Sequence, residues 1–466
     1  MKTYIFILSL FFSLNAMAQN QYKIEWQQVD SLVSLGQSQS ALDLATSVYE
    51  RSKSAGQAEQ FLKSSIYRMK LEADFQEDYF EKSIARTQTE IVSAKAPVKQ
   101  ILHSILAELY WQYYQSNRWQ ILQRSETKGL VSDDIKTWDF TKLVAACMHN
   151  YALSLTDKDL LKFTTLSSFS EIIIKQKDSE KFRPTLFDFL AHRAIDFYAS
   201  AEAGLTKPAN TFLLNKPDYF SASNDFAAFA IVSPDTLSFE YQGLKLYQEV
   251  IAMHVLDKDP TALVDVELDR LAFVHGNSAL PVKDSLYLAA LYKLESRYKN
   301  HPSSTEVAYQ IARVLDEEQI STIFYHAEIE SENRIIPESH VWDKKQAIEV
   351  CEAAISRFPD SFGAKNCRFL IERIKQPSLY ITSNYASNPN KPSLALVNYK
   401  NLPKVYFRLV KIEPETDRDL QEKQMEVRLA EYLSLKAQKT WEQPLSDDGD
   451  YRSHSTEIRI PELKPG

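Results

Sequence analysis

Apolar residues recur every three to four positions along most of this chain, and near Gln376-Pro377 they begin to alternate instead. The two periods bury side chains differently: a helix hides a stripe, whereas a strand hides every second residue. In residues 24–52, Ile24, Val29, Leu32 and Val33 mark one stripe, Gly36 breaks it, and Ala41, Leu42, Ala45, Val48 and Tyr49 resume it. The spacing predicts two helices joined at a glycine turn, with small residues letting their axes approach. Farther on, Leu186, Phe189, Leu190, Ala194, Ile195, Phe197 and Tyr198 form an apolar face broad enough for a helix enclosed by others. Residues 201–237 carry Pro208, Pro217 and Pro234 and hold no period for long. They predict an irregular connection between two helical halves. Its aromatics (Phe212, Tyr219, Phe220, Phe226 and Phe229) predict that it packs against those halves rather than moving freely.

A repeat-like unit stands late in the chain. Ala347, Cys351 and Ala354 share one helix face, Pro359 ends that helix, and the next begins near Ser361. This unit resembles part of a tetratricopeptide repeat. A weaker copy places Ala290 and Leu294 before Pro302, with Arg297 in the small-residue position. Residues 317–342 between the copies read as an insertion. Beyond Pro377, SLYITSNY, PSLALVNY, KVYFRLVKI, KTWEQPL and HSTEIRIPEL predict strands, with a helical insert over 417–437. The expected organisation is therefore a leader over 1–18 and helical regions over 19–200 and 238–376. The connection 201–237 lies between them, and 377–466 forms a β-sandwich short of its closing strand.

Composition narrows the functional classes. The start MKTYIFILSLFFSLNAMAQ has a basic residue, an apolar core too short to span a bilayer, and the small-x-small pattern Ala16-Met17-Ala18. It predicts a signal peptide cut after Ala18, hence an exported protein, periplasmic or associated with the outer membrane. No cysteine stands at the cut to take a lipid, and no later stretch reads as a transmembrane helix. With 54 basic and 62 acidic residues well mixed, no basic stripe for nucleic acid emerges. Three cysteines are too few for a disulfide framework; Cys351 and Cys367 could pair if their helices adjoin, or could simply be small core residues.

Candidate chemistry is sparse. Only nine glycines are present, with no phosphate loop, nucleophile elbow or HExxH motif. The HxE at His326 to Glu328 lacks a cysteine pair to complete a zinc site. Asp447-Asp448-Gly449-Asp450 misses the calcium-loop spacing and reads as a hairpin turn. Asp188, His192 and Asp196 repeat every four residues on one helical face. They could build a metal site or an activated histidine, or be a polar face paired with Arg193 or Lys181; three ligands along one straight helix rarely converge on an ion. The run Tyr110, Trp111, Tyr113, Tyr114 and Trp119 could stack on sugars but fits helix packing better. No catalytic, cofactor-binding or metal-binding residue is assigned.

The order of parts resembles the N-terminal portion of large bacterial α2-macroglobulin-like proteins. The resemblance is carried by RPTLFDFLAHRAIDFY, by NKPSLALVNYKNLPKVYFRLVKI and by SDDGDYRSHSTEIRIPELKPG. It implies helical tetratricopeptide-like hairpins followed by a first macroglobulin-type β-sandwich, with further β-domains if the chain continues. It also implies a protease trap, in which a bait segment is cut and a Cys-x-x-Gln thioester may bind the protease. Cys147, Cys351 and Cys367 are followed three residues later by Asn150, Ala354 and Leu370, so no thioester motif is present. The expected role is an exported non-enzymatic scaffold whose partner is a protein or target protease. The alternative is a glycan- or peptide-binding helical protein of outer-membrane uptake, with Trp111 as its test residue.

Overall fold

The computed structural model describes residues 21–124, 134–174, 176–200, 211–317, 340–384 and 388–462. The leader, His326 to Glu328 and most of the insertion lie outside the described residues. The chain is mainly helical, with a small antiparallel β-section at the end, and divides into two compact units at Lys283/Asp284. No helix among the described residues is long and apolar enough to cross a membrane.

The first unit opens with α1 (21–34), α2 (Ser38–Ser54) and α3 (Ala58–Ala73). Both turns use the same device. Gly36 and Gly56 adopt positive φ, and the following Gln37 and Gln57 amides reach back to Leu32 and Ser52 carbonyls at 2.9 Å. Only a residue without Cβ enters that conformation cheaply, which closes the helix end and reverses the chain. Tyr22, Trp26 and Val29 then pack on Ala41, Ala45, Val48 and Leu71. Next come α4 (Tyr79–Ser93), α5 (Val98–Ser116) and α6 (Arg118–Leu122), then α7 (Phe140–Ser154) and α8 (Lys158–Phe163). Helix α5 is buried nearly all round, and α7 lies along it. Tyr110, Trp111, Tyr113 and Tyr114 are core residues; Trp119 alone of that run stays open, at 76 % exposure. Trp111 stacks on Tyr114 and meets Phe197 edge-on, so it offers no platform for a sugar.

Helix α9 (Leu186–Tyr198) packs on α11 (Phe239–His254), which packs on α12 (Thr261–Asn277). The described part of the irregular connection contains a short 3-10 turn (Pro217–Phe220) and α10 (Ser223–Ala228). Tyr219, Phe220 and Phe226 are buried, as their aromatic character predicts.

The second unit starts with α13 (Lys283–Arg297), α14 (Ser304–Asp316), α15 (Asp343–Arg357) and α16 (Phe362–Lys375). The turn at Pro359 falls as expected, and the Ser361 hydroxyl caps α16 by accepting from the Ala364 amide at 3.3 Å. The helical period ends at Lys375, and the strands are β1 (Ser378–Ser383), β2 (Ser393–Lys400), β3 (Lys404–Val410), β4 (Ala437–Pro444) and β5 (His454–Ile460). They form a sheet ordered β1-β2-β5 and a pair β3-β4, all antiparallel. Val397, Tyr399 and Ile458 of the first sheet share one core with Val405 of the second and with Leu445. Leu379 and Ile381 sit opposite Tyr399 and Val397, on that same face, yet remain exposed. The helical insert is not one helix but two, α17 (Pro414–Gln421) and α18 (Met425–Ser434). The polar run Glu422-Lys423-Gln424 has no apolar contact to carry a single helix across it.

Candidate functional site

The polar groups that sequence singled out fall around α9, and the structure separates them. Thr185 caps the helix: its hydroxyl accepts from the Asp188 amide at 3.3 Å and donates to Asp188 Oδ2 at 2.7 Å, while the Thr185 amide donates to the same oxygen at 3.0 Å. This reciprocal arrangement satisfies helix-start amides that would otherwise lack partners. The other Asp188 oxygen is the surprise. Oδ1 lies 2.8 Å from Nε2 of His254, at the end of α11, and His254 Nδ1 lies 2.6 Å from Asp257 Oδ2. Both ring nitrogens face carboxylates, which only accept, so both carry protons and the ring is an imidazolium. Burial pulls His254 down, but its bonds to Asp188 and then Asp257 outweigh that and raise it above its ordinary value. Burial pushes Asp188 up, but His254 and Thr185 together hold its carboxyl below the usual range. A doubly bonded imidazolium has no lone pair with which to act as a base. It ties α9 to α11.

The expected polar face paired with Arg193 or Lys181 is thus corrected. Asp188 and His192 point inward, because α11 packs on that side of the helix and the Asp265 and Asp269 side chains of α12 stand beside His192. Arg193 instead donates to Ser104 on α5 at 2.8 Å, and Lys181 pairs with Asp178. Asp196 is exposed and makes none of these hydrogen bonds, but it lies near enough to Arg183 and Asp269 for their charges to act on one another, and partial burial raises its carboxyl above the ordinary range.

His192 belongs to a second cluster. Its Nδ1 is 2.8 Å from the Asp188 carbonyl oxygen, which fixes the proton there and leaves Nε2 as a bare acceptor. The residue is 8 % exposed, and Nε2 has no hydrogen-bond partner. It faces Asp265 and Asp269, one turn apart on α12, with ligand atoms all within 4.8 Å of one another. These three could hold a divalent cation after modest closure, since zinc needs bonds near 2.0–2.2 Å. The cationic place is already filled: Arg183 pairs with Asp265 and lies 3.5 Å from Asp269. Burial first, then the Arg183 charge, push His192 down to about 4, so it is neutral at pH 7. With His192 neutral, the single Arg183 cation serves two carboxyl groups, and burial raises that of Asp269 above its ordinary range; the arrangement is a polar seam between α9 and α12. Sequence reasoning missed Asp265, Asp269 and His254; the Asp-x-x-x-Asp spacing was a weak signal, and nothing local marked His254.

A third polar element holds the irregular segment. Arg270, 1 % exposed, donates from Nε to Glu267 at 2.8 Å, from Nη1 to the Tyr219 carbonyl at 2.5 Å and from Nη2 to the Ser221 carbonyl at 2.9 Å. Its guanidinium lies over the Phe226 ring at 4.4 Å. In the second unit, Asp447 accepts from the Gly449 amide at 3.2 Å, but the segment is not the expected hairpin turn: it links β4 of the two-stranded sheet to β5 of the other sheet. Asp450 is buried instead, accepting from the Arg452 amide at 2.9 Å and meeting His454 at 3.0 Å.

No family model, curated protein or solved structure matches this chain.

Proposed function

We propose that this chain is an exported, non-enzymatic scaffold, the N-terminal part of an α2-macroglobulin-like protease-trapping protein. The carrying observation is the join in the second unit. The side chain of Asn401, in the β2–β3 turn, donates to the Ile374 carbonyl at 2.8 Å and the Gln376 carbonyl at 3.3 Å, and Lys400 reaches the Arg373 carbonyl at 3.3 Å. Arg452, just before β5, donates to the His340 carbonyl at 2.8 Å. The last carbonyls of α16 are thereby capped by the sheet section, which suits a platform that holds β-domains in fixed register with helical hairpins. The polar clusters of the first unit support a mechanical role as well: each ties one segment of the fold to another. Residues 394–412, which carry the family resemblance, form β2 and β3 of this joined section.

The test uses the native gene product from its own cells, incubated with an endopeptidase. A trap leaves hydrolysis of a small chromogenic peptide intact while blocking digestion of a large protein substrate. The 466-residue chain alone should leave both reactions running. Intrinsic hydrolase activity in this chain would overturn the reading. So would retention on polysaccharide gels by affinity electrophoresis, which the uptake alternative requires.

A further inference from the structure

Cysteine is small and weakly polar, so on a helix face it reads first as packing. Cys147 fits that description, as the one cysteine of the first unit, buried on α7. Cys351 and Cys367 differ. They lie on consecutive helices that pack together, α15 and α16, and both are fully buried. Cys351 stands in the buried stripe Ala347, Cys351, Ala354, and Cys367 in the buried stripe Ala364, Cys367, Leu370. Small residues on each stripe let the axes approach. The two stripes face each other across the packed hairpin, which brings the two thiols close enough to interact.

We infer that Cys351 and Cys367 form a disulfide that staples α15 to α16 across the turn at residues 358–361. The bond forms by exchange with a disulfide donor. Each cysteine gives up one hydrogen, the new S–S bond forms, and two electrons and two protons pass to the donor, whose own S–S bond breaks into two thiols. The closed loop is short and lies within one helical hairpin, so the staple constrains the unfolded chain without pulling on other elements.

The experiment takes the purified full chain, unfolds it in denaturant, refolds it with an excess of glutathione disulfide, and counts thiols before and after. Three free thiols should fall to one. Tryptic mapping should find the peptides of Cys351 and Cys367 joined, two hydrogens lighter than the separate pair, with Cys147 unmodified. The oxidised chain should melt about 6–12 °C higher than the reduced chain, a difference abolished by dithiothreitol and absent from the C351A/C367A variant. Three surviving thiols, a linkage through Cys147, or a persistent glutathione adduct on Cys351 or Cys367 would each overturn the assignment. C147S provides a version with only the paired cysteines. Oxidation in the tube needs no export, so its failure leaves the proposed function standing, and the converse also holds.

Discussion

Replacing Arg270 by alanine removes a cation that the fold has enclosed completely. The guanidinium satisfies Glu267, itself 1 % exposed, and the carbonyls of Tyr219 and Ser221. After truncation the Glu267 carboxylate remains buried without its counter-ion, and the two carbonyls lose their donors. Breaking one side of such a pair costs about 3–5 kcal/mol, because the remaining charge keeps its desolvation penalty. For a unit of this size that is roughly 6–20 °C in melting temperature. The assay is calorimetry of the full chain, read for the transition of the first unit, together with limited chymotrypsin digestion. Loss of the tie should also speed cleavage near Tyr219 and Phe226, since α10 and the preceding turn are held to α12 through this side chain. A companion variant separates charge from packing. Arg270→Met with Glu267→Leu removes both ions and should lose clearly less stability than Arg270→Ala alone. A shift under 2 °C for Arg270→Ala, or a double variant no better than the single one, would refute the reasoning.

The two histidines of the α9 seam predict opposite pH dependences. His192 in the fold is pushed down to about 4, whereas the unfolded chain takes its proton near pH 6.5. Its effect is therefore absent above pH 6.5 and costs up to about 3 kcal/mol as pH falls to 4; His192→Asn should flatten melting temperature against pH in that window, and an unchanged slope would count against the assignment. His254 is raised, so its contribution is complete below pH 6.5 and is lost as pH rises through the folded value; His254→Gln should remove the alkaline decline in melting temperature, and a decline that persists would contradict the imidazolium. A Cβ at Gly363 would meet the backbone of Thr305 and Glu306, which cannot yield as a flexible side chain could; Gly363→Ala should cost about 3 kcal/mol in the second unit, measured by urea unfolding.

Much of the architecture was legible because it rests on local periodicity. The glycine turn at Gly36, the stop at Pro359, the enclosed helix at 186–198 and the change of period at Gln376 each follow from residues close together in the chain. Where a short run carried no apolar residue, as at Glu422 to Gln424, periodicity could not say whether one helix or two would form. The site was legible only on its α9 side, in Asp188 and His192. Asp188 was visible as a member of a four-residue polar series, but one of its oxygens meets a histidine 66 residues away, and no local pattern encodes such a partner. The Asp188, His192 and Asp196 series looked like a single face, yet enclosure turned Asp188 and His192 inward and left Asp196 at the rim, exposed but within reach of the Arg183 charge.

What the sequence determined alone was therefore the set of elements and their order, since apolar spacing, proline and glycine act within a few residues. What tertiary structure decided was the pairing of charges: which carboxylate receives His254, which arginine lies between Asp265 and Asp269, and which carbonyls Arg270 holds. Burial makes an unpaired charge costly whatever its position in the chain, so partners are selected by proximity in space, and that proximity exists only after the helices have packed.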